Sequence, residues 1–236
     1  MDRYTAEVSR IDDLTHDVRT IELRLIEPST ITFKAGQFVS FEVPKAGAPR
    51  PVTRPYSIAS PPGRTDRILL LLNLVPGGPG STYLFGLREG DRTQFTGAAG
   101  AFYLRDDPTK DLLFVATGTG IAPLRSMILA QLARASSQMV TLYWGLRNRR
   151  DLYWQEEFRL LAEQHSNFTV VTTLSRPDPD WTGTGGYVTA LVEKRILVVN
   201  NLAAYLCGGS AMIRDVTKAL TQKGLCPIYR EKYYDE

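Results

Sequence analysis

Cysteine and histidine are scarce in this sequence, which has two of each among 236 residues. The two cysteines, Cys207 and Cys226, cannot supply the four thiolates of an iron–sulfur cluster and are too few for a disulfide scaffold. The two histidines, His16 and His165, have no cysteine close to them in the sequence, which argues against a structural zinc site. We therefore expect no bound metal, and a reducing cytoplasm fits the cysteine content best.

The sequence also lacks a strong excess of charge and any long apolar run. Lys and Arg number 28 against 25 Asp and Glu, and the net charge of +3 is too small to predict a nucleic-acid partner. The longest apolar run, residues 68–72, is far shorter than the roughly 20 residues of a membrane helix. Residues 1–7 carry charges where a signal peptide needs an apolar core. We expect a protein with no membrane span and no export signal.

The first part of the sequence is made of short β-type segments. Residues 18–25 and 37–43 alternate apolar with polar side chains, as strands with one buried face do. Glycine and proline interrupt these segments often enough to exclude long helices. The pattern predicts an antiparallel barrel or sandwich over residues 1–105.

After Asp106-Asp107-Pro108, short apolar strands alternate with helical stretches, which is typical of a parallel sheet covered on both faces. The expected strands are residues 112–116, 140–144, 168–172 and 204–207. The expected helices are residues 122–135, 155–164 and 210–223. This part predicts an α/β domain over residues 106–236, so the chain has two domains of different class.

A glycine loop, residues 117–123, lies between the first strand and the first helix of this second part. Glycine allows a phosphate to approach backbone N–H groups closely, and a helix N-terminus favours negative charge. Thr117, Gly118 and Gly120 could therefore hold a pyrophosphate, but Pro123 stands where the dinucleotide fingerprint has its third glycine. Taken alone, the segment is explained equally well as a glycine turn.

A basic and aromatic segment in the first part could hold a planar, phosphorylated ligand. Arg54 can clamp a phosphate, Tyr56 can stack on a ring, and Ser57 can bond a ring heteroatom. The simpler alternative is a strand with an exposed arginine.

A second segment of the first part, Gly77-Gly78-Pro79-Gly80-Ser81-Thr82, has the composition of a helix start. Ser81 is the predicted N-cap of a short helix, and the N–H groups at Gly80, Ser81 and Thr82 could bind an anion. A capped turn without a ligand is the alternative.

Two segments near the C-terminus complete the candidate residues. Cys207-Gly208 ends a strand, and residues 229–234 form an aromatic and charged run. Taken alone, the first is explained as a buried thiol before a turn, and the second as an anchor for the chain terminus.

Taken together and in this order, these segments resemble the ferredoxin–NADP reductase superfamily, specifically its compact members without a fused cluster domain. The resemblance extends from about residue 4 to residue 234. In that family an R-x-Y-S motif, here Arg54 to Ser57, holds the flavin, and a G-x-x-S motif, here Gly78 to Ser81, holds its pyrophosphate. The segment from Thr117 to Pro123 resembles the nicotinamide-nucleotide loop of the family, with proline in place of the third glycine.

The resemblance also assigns the C-terminal candidates. Cys207-Gly208 is similar to the Cys-Gly pair beside the nicotinamide, and Glu231 and Tyr233 are similar to the acidic and aromatic residues over the flavin ring. Because Tyr234 follows directly, either tyrosine could be the one that stacks on the flavin. Residues 97–102 and 181–183 resemble segments of oxygenase reductases, which implies that the chain serves an oxygenase.

The resemblance implies an antiparallel flavin-binding β-barrel followed by a Rossmann-like nucleotide-binding domain. It implies hydride transfer from NADPH or NADH to a flavin, FAD rather than FMN because of the pyrophosphate motif, with single electrons passed to a separate carrier. Ferredoxin, flavodoxin or an oxygenase component would be that carrier. Tyr56 would stack on one face of the flavin, Ser57 would lie near N5, and Cys207 with Glu231 would help to form the nicotinamide pocket.

Two other interpretations stay open. The chain could be a non-catalytic flavin-binding regulatory subunit, of the kind found in dihydroorotate dehydrogenase or hydrogenase complexes. It could also be a free flavin or ferric reductase that binds its flavin loosely as a substrate.

Basic residues after the second and third strands of the α/β domain favour NADPH over NADH. Enzymes that select NADH often carry an acidic residue about 20 residues beyond the glycine loop, where this chain has Arg147 and a basic run. Ser175-Arg176 resembles the pair that binds the 2′-phosphate in NADP-specific relatives. Three acidic residues, Asp151, Asp178 and Asp180, and the frequent use of NADH by oxygenase-type relatives count against this prediction.

Overall fold

The computed structural model describes residues 1–45, 47–134 and 136–234, with the backbone alone at Tyr234. The chain folds into two compact units. Unit 1 comprises Met1–Leu104 together with Arg125–Ala130, and unit 2 comprises Arg105–Leu124 together with Gln131–Glu236.

Unit 1 is an antiparallel sheet with one short helix. Its elements are β1 (Asp2–Asp13), β2 (Val18–Glu27), β3 (Phe38–Val43), β4 (Val52–Ser57), β5 (Arg67–Asn73), α1 (Pro79–Gly86) and β6 (Arg92–Ala99). The strands pair in the order β4-β3-β6-β1-β2-β5. A bridge between Ile58, just after β4, and Leu70 in β5 joins the two ends of this order, so the sheet curls on itself.

Alternation along the strands of unit 1 fills the interior of the curled sheet. From Ile21 to Leu25, β2 alternates apolar with charged residues, and Ile21, Leu23 and Leu25 are buried in one cluster with residues of the other strands. Tyr4 of β1 stacks on Phe95 of β6 with ring centroids 5.2 Å apart, which adds an aromatic contact to the same core. The core fixes the register of each strand, and therefore which side chains of β4 face outward.

Unit 2 is a parallel sheet with helices between its strands. Its elements are β7 (Asp111–Thr117), α2 (Ile121–Leu132), β8 (Val140–Leu146), α3 (Gln155–Gln164), β9 (Phe168–Leu174), β10 (Thr184–Gly185), α4 (Val188–Arg195), β11 (Leu202–Gly209), α5 (Ser210–Thr221) and β12 (Ile228–Tyr234). The strands pair in parallel in the order β10-β9-β8-β7-β11-β12. Residues 112–116 of β7 are all buried, as expected for a central strand covered on both faces.

The parallel arrangement brings distant parts of the sequence to one edge of the sheet. Because all six strands run in the same direction, their carboxyl ends meet at that edge. The glycine loop after β7, the segments that follow β8 and β9, and the ends of β11 and β12 all lie there. This edge therefore gathers the candidate residues of the second half.

The predicted fold class, an antiparallel flavin-type barrel followed by a Rossmann-like parallel sheet, is confirmed. Helix α3 has the predicted bounds, whereas α2 ends at Leu132 and α5 at Thr221, short of the predicted ends. The sequence patterns missed α4, and the C-terminal run interpreted as an anchor forms strand β12. The domain boundary at residues 105–106 stays a prediction.

The described residues form neither a membrane-spanning helix nor a cluster of metal-binding side chains. None of the helices they form is long and apolar enough to cross a membrane. They also contain no group of three or more His, Cys, Asp or Glu side chains placed to hold a metal ion.

Candidate functional site

Strand β4, which lies at one end of the strand order, carries the first group of predicted site residues. Arg54 and Tyr56 are half-buried, whereas Ser57 is 5% exposed. The Tyr56 ring meets Phe41 of the neighbouring strand edge-on, with centroids 5.9 Å apart. One guanidinium nitrogen of Arg54 donates to the Thr53 carbonyl at 2.8 Å. A guanidinium has five N–H donors, so Arg54 keeps further N–H groups that can bind a ligand.

Helix α1 begins directly against this part of β4. A Cβ on Gly80 would lie 2.9 Å from Cβ and Cγ of Arg54 and would also collide with the Tyr56 hydroxyl. Only glycine fits there, so the start of α1 and the side chains of Arg54 and Tyr56 form one compact cradle. Pro79 has no N–H group, so the free N–H groups of the first turn are those of Gly80 and Ser81.

The prediction that Ser81 caps α1 is wrong. The helix begins at Pro79 with Gly78 as its N-cap residue, and no side chain caps it. The buried Ser81 hydroxyl instead accepts a hydrogen bond from Val75 N–H at 3.0 Å and lies within 3.2 Å of the Gly78 carbonyl, to which it can donate. It therefore closes the glycine turn before the helix, and only its backbone N–H is left for a ligand.

Thr82 contributes less than the sequence predicts. Its backbone N–H donates to the Gly78 carbonyl at 3.0 Å, so that N–H is part of the helix and is not available to an anion. The side chain of Thr82 is exposed, which leaves its hydroxyl as the group that could reach a ligand.

In unit 2, the glycine loop turns tightly over the end of β11. Residues 118–120 form a single 3-10 turn that leads into α2. A Cβ on Gly120 would collide with the Cys207 carbonyl and would lie 2.8 Å from the Gly208 nitrogen, so the loop can approach β11 only with glycine at this position. The Thr117 hydroxyl, at the start of the loop, accepts a hydrogen bond from Gly209 N–H at 3.1 Å and so also holds the loop against the end of β11.

Proline at position 123 agrees with the geometry of the loop. Pro123 is buried in the first turn of α2, where a backbone N–H has no partner within the helix. Trp144 of β8 supports the loop from below, because its indole N–H donates to the Gly118 carbonyl at 3.1 Å. The sequence analysis did not predict a role for Trp144. A tryptophan near the end of a buried strand, close to the glycine loop, was the feature that could have indicated one.

Cys207, near the end of β11, lies beside Glu231 and Tyr233 of β12. Cys207 and Glu231 are direct partners in the parallel register, and the register shifts just beyond them, between Gly208 and Gly209. The buried Tyr233 hydroxyl faces the Cys207 thiol closely enough to act on its pKa. The Tyr234 side chain, the other predicted stacking residue, lies outside the described part of the chain.

The environment of Cys207 keeps its thiol protonated. Complete burial raises the pKa of the Cys207 thiol well above its ordinary value, and the nearby Glu231 carboxylate raises it further, whereas the Tyr233 hydroxyl acts in the opposite direction. A thiol in this state is a small neutral group and not a nucleophile.

The residues predicted to select the nucleotide also lie at this edge of the sheet. Ser175 N–H donates to Leu146 O at 3.0 Å, and Arg176 N–H donates to Arg147 O at 2.8 Å, so the segments that follow β8 and β9 run side by side. Arg147 and Arg176 are both exposed. Within the described part of the chain, neither guanidinium makes a hydrogen bond or an ion pair.

The acidic residues that argued against NADPH are engaged elsewhere. Asp178 and Asp180 both pair with Arg149, and one Asp151 oxygen accepts from the backbone and side-chain nitrogens of Asn148 at 2.9 and 3.0 Å. Each of these carboxylates therefore has a partner within the protein.

A polar groove on unit 1 is not part of this arrangement. It is lined by strands β1, β3 and β6, with Arg3, Ser40 and Gln94 among its residues, and none of the predicted site residues line it. The predicted residues lie instead in two separate groups, one in each unit.

Each group fits one part of a dinucleotide-dependent flavin enzyme. In unit 1, the Arg54 guanidinium and the free N–H groups at the start of α1 suit a pyrophosphate, which can approach closely because Gly80 has no side chain. Tyr56 can stack on a ring beside that pyrophosphate. In unit 2, the glycine loop, the neutral thiol and the unpaired arginines suit a phosphorylated nucleotide.

Comparison with protein-family models assigns the two halves of the chain. Residues 5–103 match the model described as an oxidoreductase FAD-binding domain, and residues 114–218 match the oxidoreductase NAD-binding domain. The predictions of FAD and of a nicotinamide nucleotide are confirmed.

Three similar proteins are named as reductase components or subunits of enzyme systems. The chain is 35% identical to the phenol 2-monooxygenase reductase component of Pseudomonas sp. strain CF600, over 98% of this chain and 65% of that protein. It is 36% identical to the aromatic O-demethylase reductase subunit of Amycolatopsis sp., with coverages of 97% and 69%. It is 32% identical to the reductase component of the naphthalene 1,2-dioxygenase system of Pseudomonas putida, with coverages of 96% and 68%.

A solved structure has the same fold at similar identity. The cytochrome P450 reductase of Amycolatopsis superposes with a TM-score of 0.87 at 35% identity, over 98% of this chain and 69% of that chain. The chain spans 65% of the length of the phenol 2-monooxygenase reductase component and 69% of the P450 reductase. The chain belongs to the ferredoxin–NADP reductase-like family of FAD- and NAD-binding oxidoreductases, which includes the reductase components of oxygenases.

Proposed function

We propose that this protein is an NAD(P)H-dependent flavoprotein reductase that delivers electrons to a separate one-electron carrier. The observation that carries the proposal is the meeting of the glycine loop, Cys207 and Glu231 at one edge of the NAD-binding sheet. The names of the similar proteins support an oxygenase component or a ferredoxin as the carrier, and flavodoxin is the remaining candidate. We propose residues 1–105 and 106–236 as the two functional domains.

The first domain would hold FAD through the cradle of β4 and α1. Arg54 would clamp the pyrophosphate, and the N–H groups of Gly80 and Ser81 would donate to it. Tyr56 would stack on the flavin ring, and Ser57 would lie near N5. Thr82 would contribute through its exposed hydroxyl.

The second domain would hold the nicotinamide nucleotide at the carboxyl edge of its sheet. The loop of Thr117, Gly118 and Gly120, continued by Pro123 into α2, would hold the pyrophosphate, and Cys207-Gly208 would form the floor of the nicotinamide pocket. Glu231 and Tyr233 would close this pocket from β12. The neutral Cys207 thiol would exclude water there without reacting with the nucleotide.

The redox chemistry belongs to the cofactors. Bound FAD supplies a two-electron acceptor for the hydride of the nicotinamide and a one-electron donor to the carrier, while the protein binds and orients both. Because the cofactors carry out the electron transfer, the side chains and N–H groups described above need only bind and position them.

We propose NADPH as the preferred donor. Arg147 and the Ser175-Arg176 pair would bind the 2′-phosphate, with Arg176 making a bidentate contact. The test is kcat/KM with NADPH and with NADH for the parent protein and for Arg176→Ala. A parent that uses NADH better, or a ratio that Arg176→Ala leaves unchanged, would show that this assignment is wrong.

An anaerobic titration of the purified protein with NADPH and NADH, followed by absorbance, tests the function. Flavin bleaching at a useful rate in stopped flow supports a reductase, whereas a regulatory flavin subunit need not be reduced. Gel filtration before the spectrum shows whether the flavin is retained, which a free flavin or ferric reductase would not require. Heat release and chromatography of the flavin should give FAD, and release of FMN alone would contradict the pyrophosphate cradle.

The carrier is tested by direct reduction. A ferredoxin, a flavodoxin and an oxygenase component are each mixed with the reductase and NADPH, and one-electron reduction is followed spectroscopically.

We also propose a cytoplasmic location, because Cys207 and Cys226 are both free thiols.

A further inference from the structure

Arg149 holds two carboxylates that follow the nucleotide-selecting pair. One of its nitrogens lies 3.0 Å from Oδ2 of Asp180, and another lies 3.6 Å from Oδ2 of Asp178. Its guanidinium carbon lies 5.8 Å from the centre of the Trp181 ring, in the range of a cation–π contact. Three separate contacts therefore join Arg149, in the turn after β8, to the loop after β9.

Trp181 is itself fixed, so the loop has a defined shape. Its indole N–H donates to the Thr184 carbonyl at 3.0 Å. The ring lies against Gly183, where an added Cβ would come within 2.6 Å of a ring carbon. The Trp181-Thr182-Gly183 motif thus builds a platform for Arg149, and no step of the proposed reaction uses this motif.

The carboxylates held by Arg149 are close in sequence to the proposed 2′-phosphate site. Asp178 and Asp180 follow Arg176 in the same loop, and the backbone of Arg176 is bound to Arg147 at 2.8 Å. A carboxylate that turned towards Arg176 would repel a 2′-phosphate and could accept a hydrogen bond from a ribose 2′-hydroxyl. The position of these two side chains therefore bears directly on the choice between NADPH and NADH.

We propose that Arg149 is a positioning residue that shifts nucleotide selectivity towards NADPH by holding Asp178 and Asp180 away from Arg147, Ser175 and Arg176. The proposal rests on the proposed nucleotide site at those three residues. Arg149 need not touch the nucleotide, because it acts through the two carboxylates that it pairs with.

Arg150 provides a matched control for this proposal. It is the next residue, it has the same charge, and its side chain is 74% exposed. Its ion pair is with Asp151, at 3.8 Å, and not with the loop of Asp178 and Asp180. Arg149→Met and Arg150→Met therefore remove the same charge from the same turn, but only the first releases the loop.

The ratio of kcat/KM for NADPH to that for NADH should fall about tenfold in Arg149→Met and less than about threefold in Arg150→Met. The change should come from KM, with kcat nearly unchanged, because the reacting groups are untouched. Arg149→Lys, which keeps the charge but not the planar fork, should lie between the parent and Arg149→Met.

A double-mutant cycle separates the clamp from direct binding of phosphate by Arg149. Asp178→Asn with Asp180→Asn should change the ratio little in the parent, where both carboxylates are paired, but should restore it in Arg149→Met. If the two Asn substitutions fail to restore the ratio, or if the two Met variants behave alike, the proposal is overturned.

A binding measurement separates failure of this proposal from failure of the proposed nucleotide preference. Calorimetry with 2′-phospho-AMP and with AMP requires neither flavin nor turnover. A parent that binds AMP as tightly as 2′-phospho-AMP contradicts the NADPH assignment. Loss of affinity for 2′-phospho-AMP alone in Arg149→Met, with Arg150→Met unchanged, supports the clamp, and equal affinities in the two variants overturn it.

Discussion

Cys207 and Glu231 are direct partners across β11 and β12, where the parallel register sets the thiol beside the carboxylate. The two residues lie in different strands separated by helix α5; Cys207 is near the end of β11, where the glycine loop contacts it, and Glu231 is in the middle of β12. Burial and the carboxylate both raise the pKa of the Cys207 thiol. The nucleotide pocket proposed above is therefore bordered by a protonated thiol.

The first prediction concerns the reactivity of the two cysteines. In the native protein, a thiol reagent at pH 8 should modify Cys226, which is partly exposed, well before Cys207, which is fully buried. Burial raises the pKa of both thiols, so the thiolate fraction of each is below that of a free cysteine. Mass spectrometry of the digested protein identifies the site, and modification of Cys207 first would contradict the structure.

The same pKa shift fixes the sign of a pH effect on stability. Because the folded-state pKa of Cys207 is raised, its contribution to the free energy of unfolding is fully present below the ordinary thiol pKa. It is lost as the pH rises through the folded-state value. Cys207→Ala should reduce this loss on the alkaline side, as urea unfolding at a series of pH values would measure.

The second prediction concerns Gly120. Gly120→Ala should lower the free energy of unfolding by about 1–3 kcal/mol, because the new methyl group would collide with the backbone of Cys207 and Gly208. It should also weaken nucleotide binding by pushing the loop away from β11. Gly86→Ala is the control, since an added Cβ there meets nothing within 4 Å. Equal stabilities of the two variants in urea unfolding would show that the close approach is absent.

The third prediction distinguishes Ser81 from its neighbour. Ser81→Ala should destabilise the protein by about 0.5–1.5 kcal/mol, because the turn loses the hydrogen bond between the Val75 N–H and the buried Ser81 hydroxyl. FAD retention should fall as well, since the turn positions the N–H groups of α1. Thr82→Ala, at an exposed position, should leave unfolding unchanged. If both variants are as stable as the parent, the hydroxyl of Ser81 does not hold the turn.

The fourth prediction concerns the end of β12. Truncation after Lys232 removes both Tyr233 and Tyr234 and should strengthen nucleotide binding while slowing turnover, because a terminal tyrosine competes for the nicotinamide pocket. The truncation also removes the pairing of Tyr234 with Gly209 at the end of β12, so the unfolding midpoint is measured with the kinetics and should fall only slightly. Truncation after Tyr234 is the matched control. Unchanged affinity and turnover would mean that the tail is only an anchor.

Much of the fold could be predicted because its signals are local. Alternation in β2 and continuous burial in β7 follow from a period of two and from a strand covered on both faces. The order of Arg54, the α1 turn, the glycine loop and Cys207 along the chain also needed no coordinates. These features determined the family, the two cofactor classes and the fold class.

The role of Ser81 shows where local signals mislead. A serine after a glycine-rich turn has the chemistry of an N-cap, but Pro79 starts the helix earlier, so the hydroxyl binds the turn instead. The helix start at Pro79 places Gly80 against Arg54 and Tyr56, a contact between segments that lie far apart in the sequence.

The sequence by itself determined which chemical groups the protein has and in which strands and loops they stand. Only the tertiary structure decided which of them meet: Cys207 with Glu231, Gly120 with the end of β11, and Arg149 with Asp178 and Asp180. The physical reason is that sheet register and side-chain pairing depend on contacts between distant segments, whereas periodicity, turn residues and helix breakers act within a few residues.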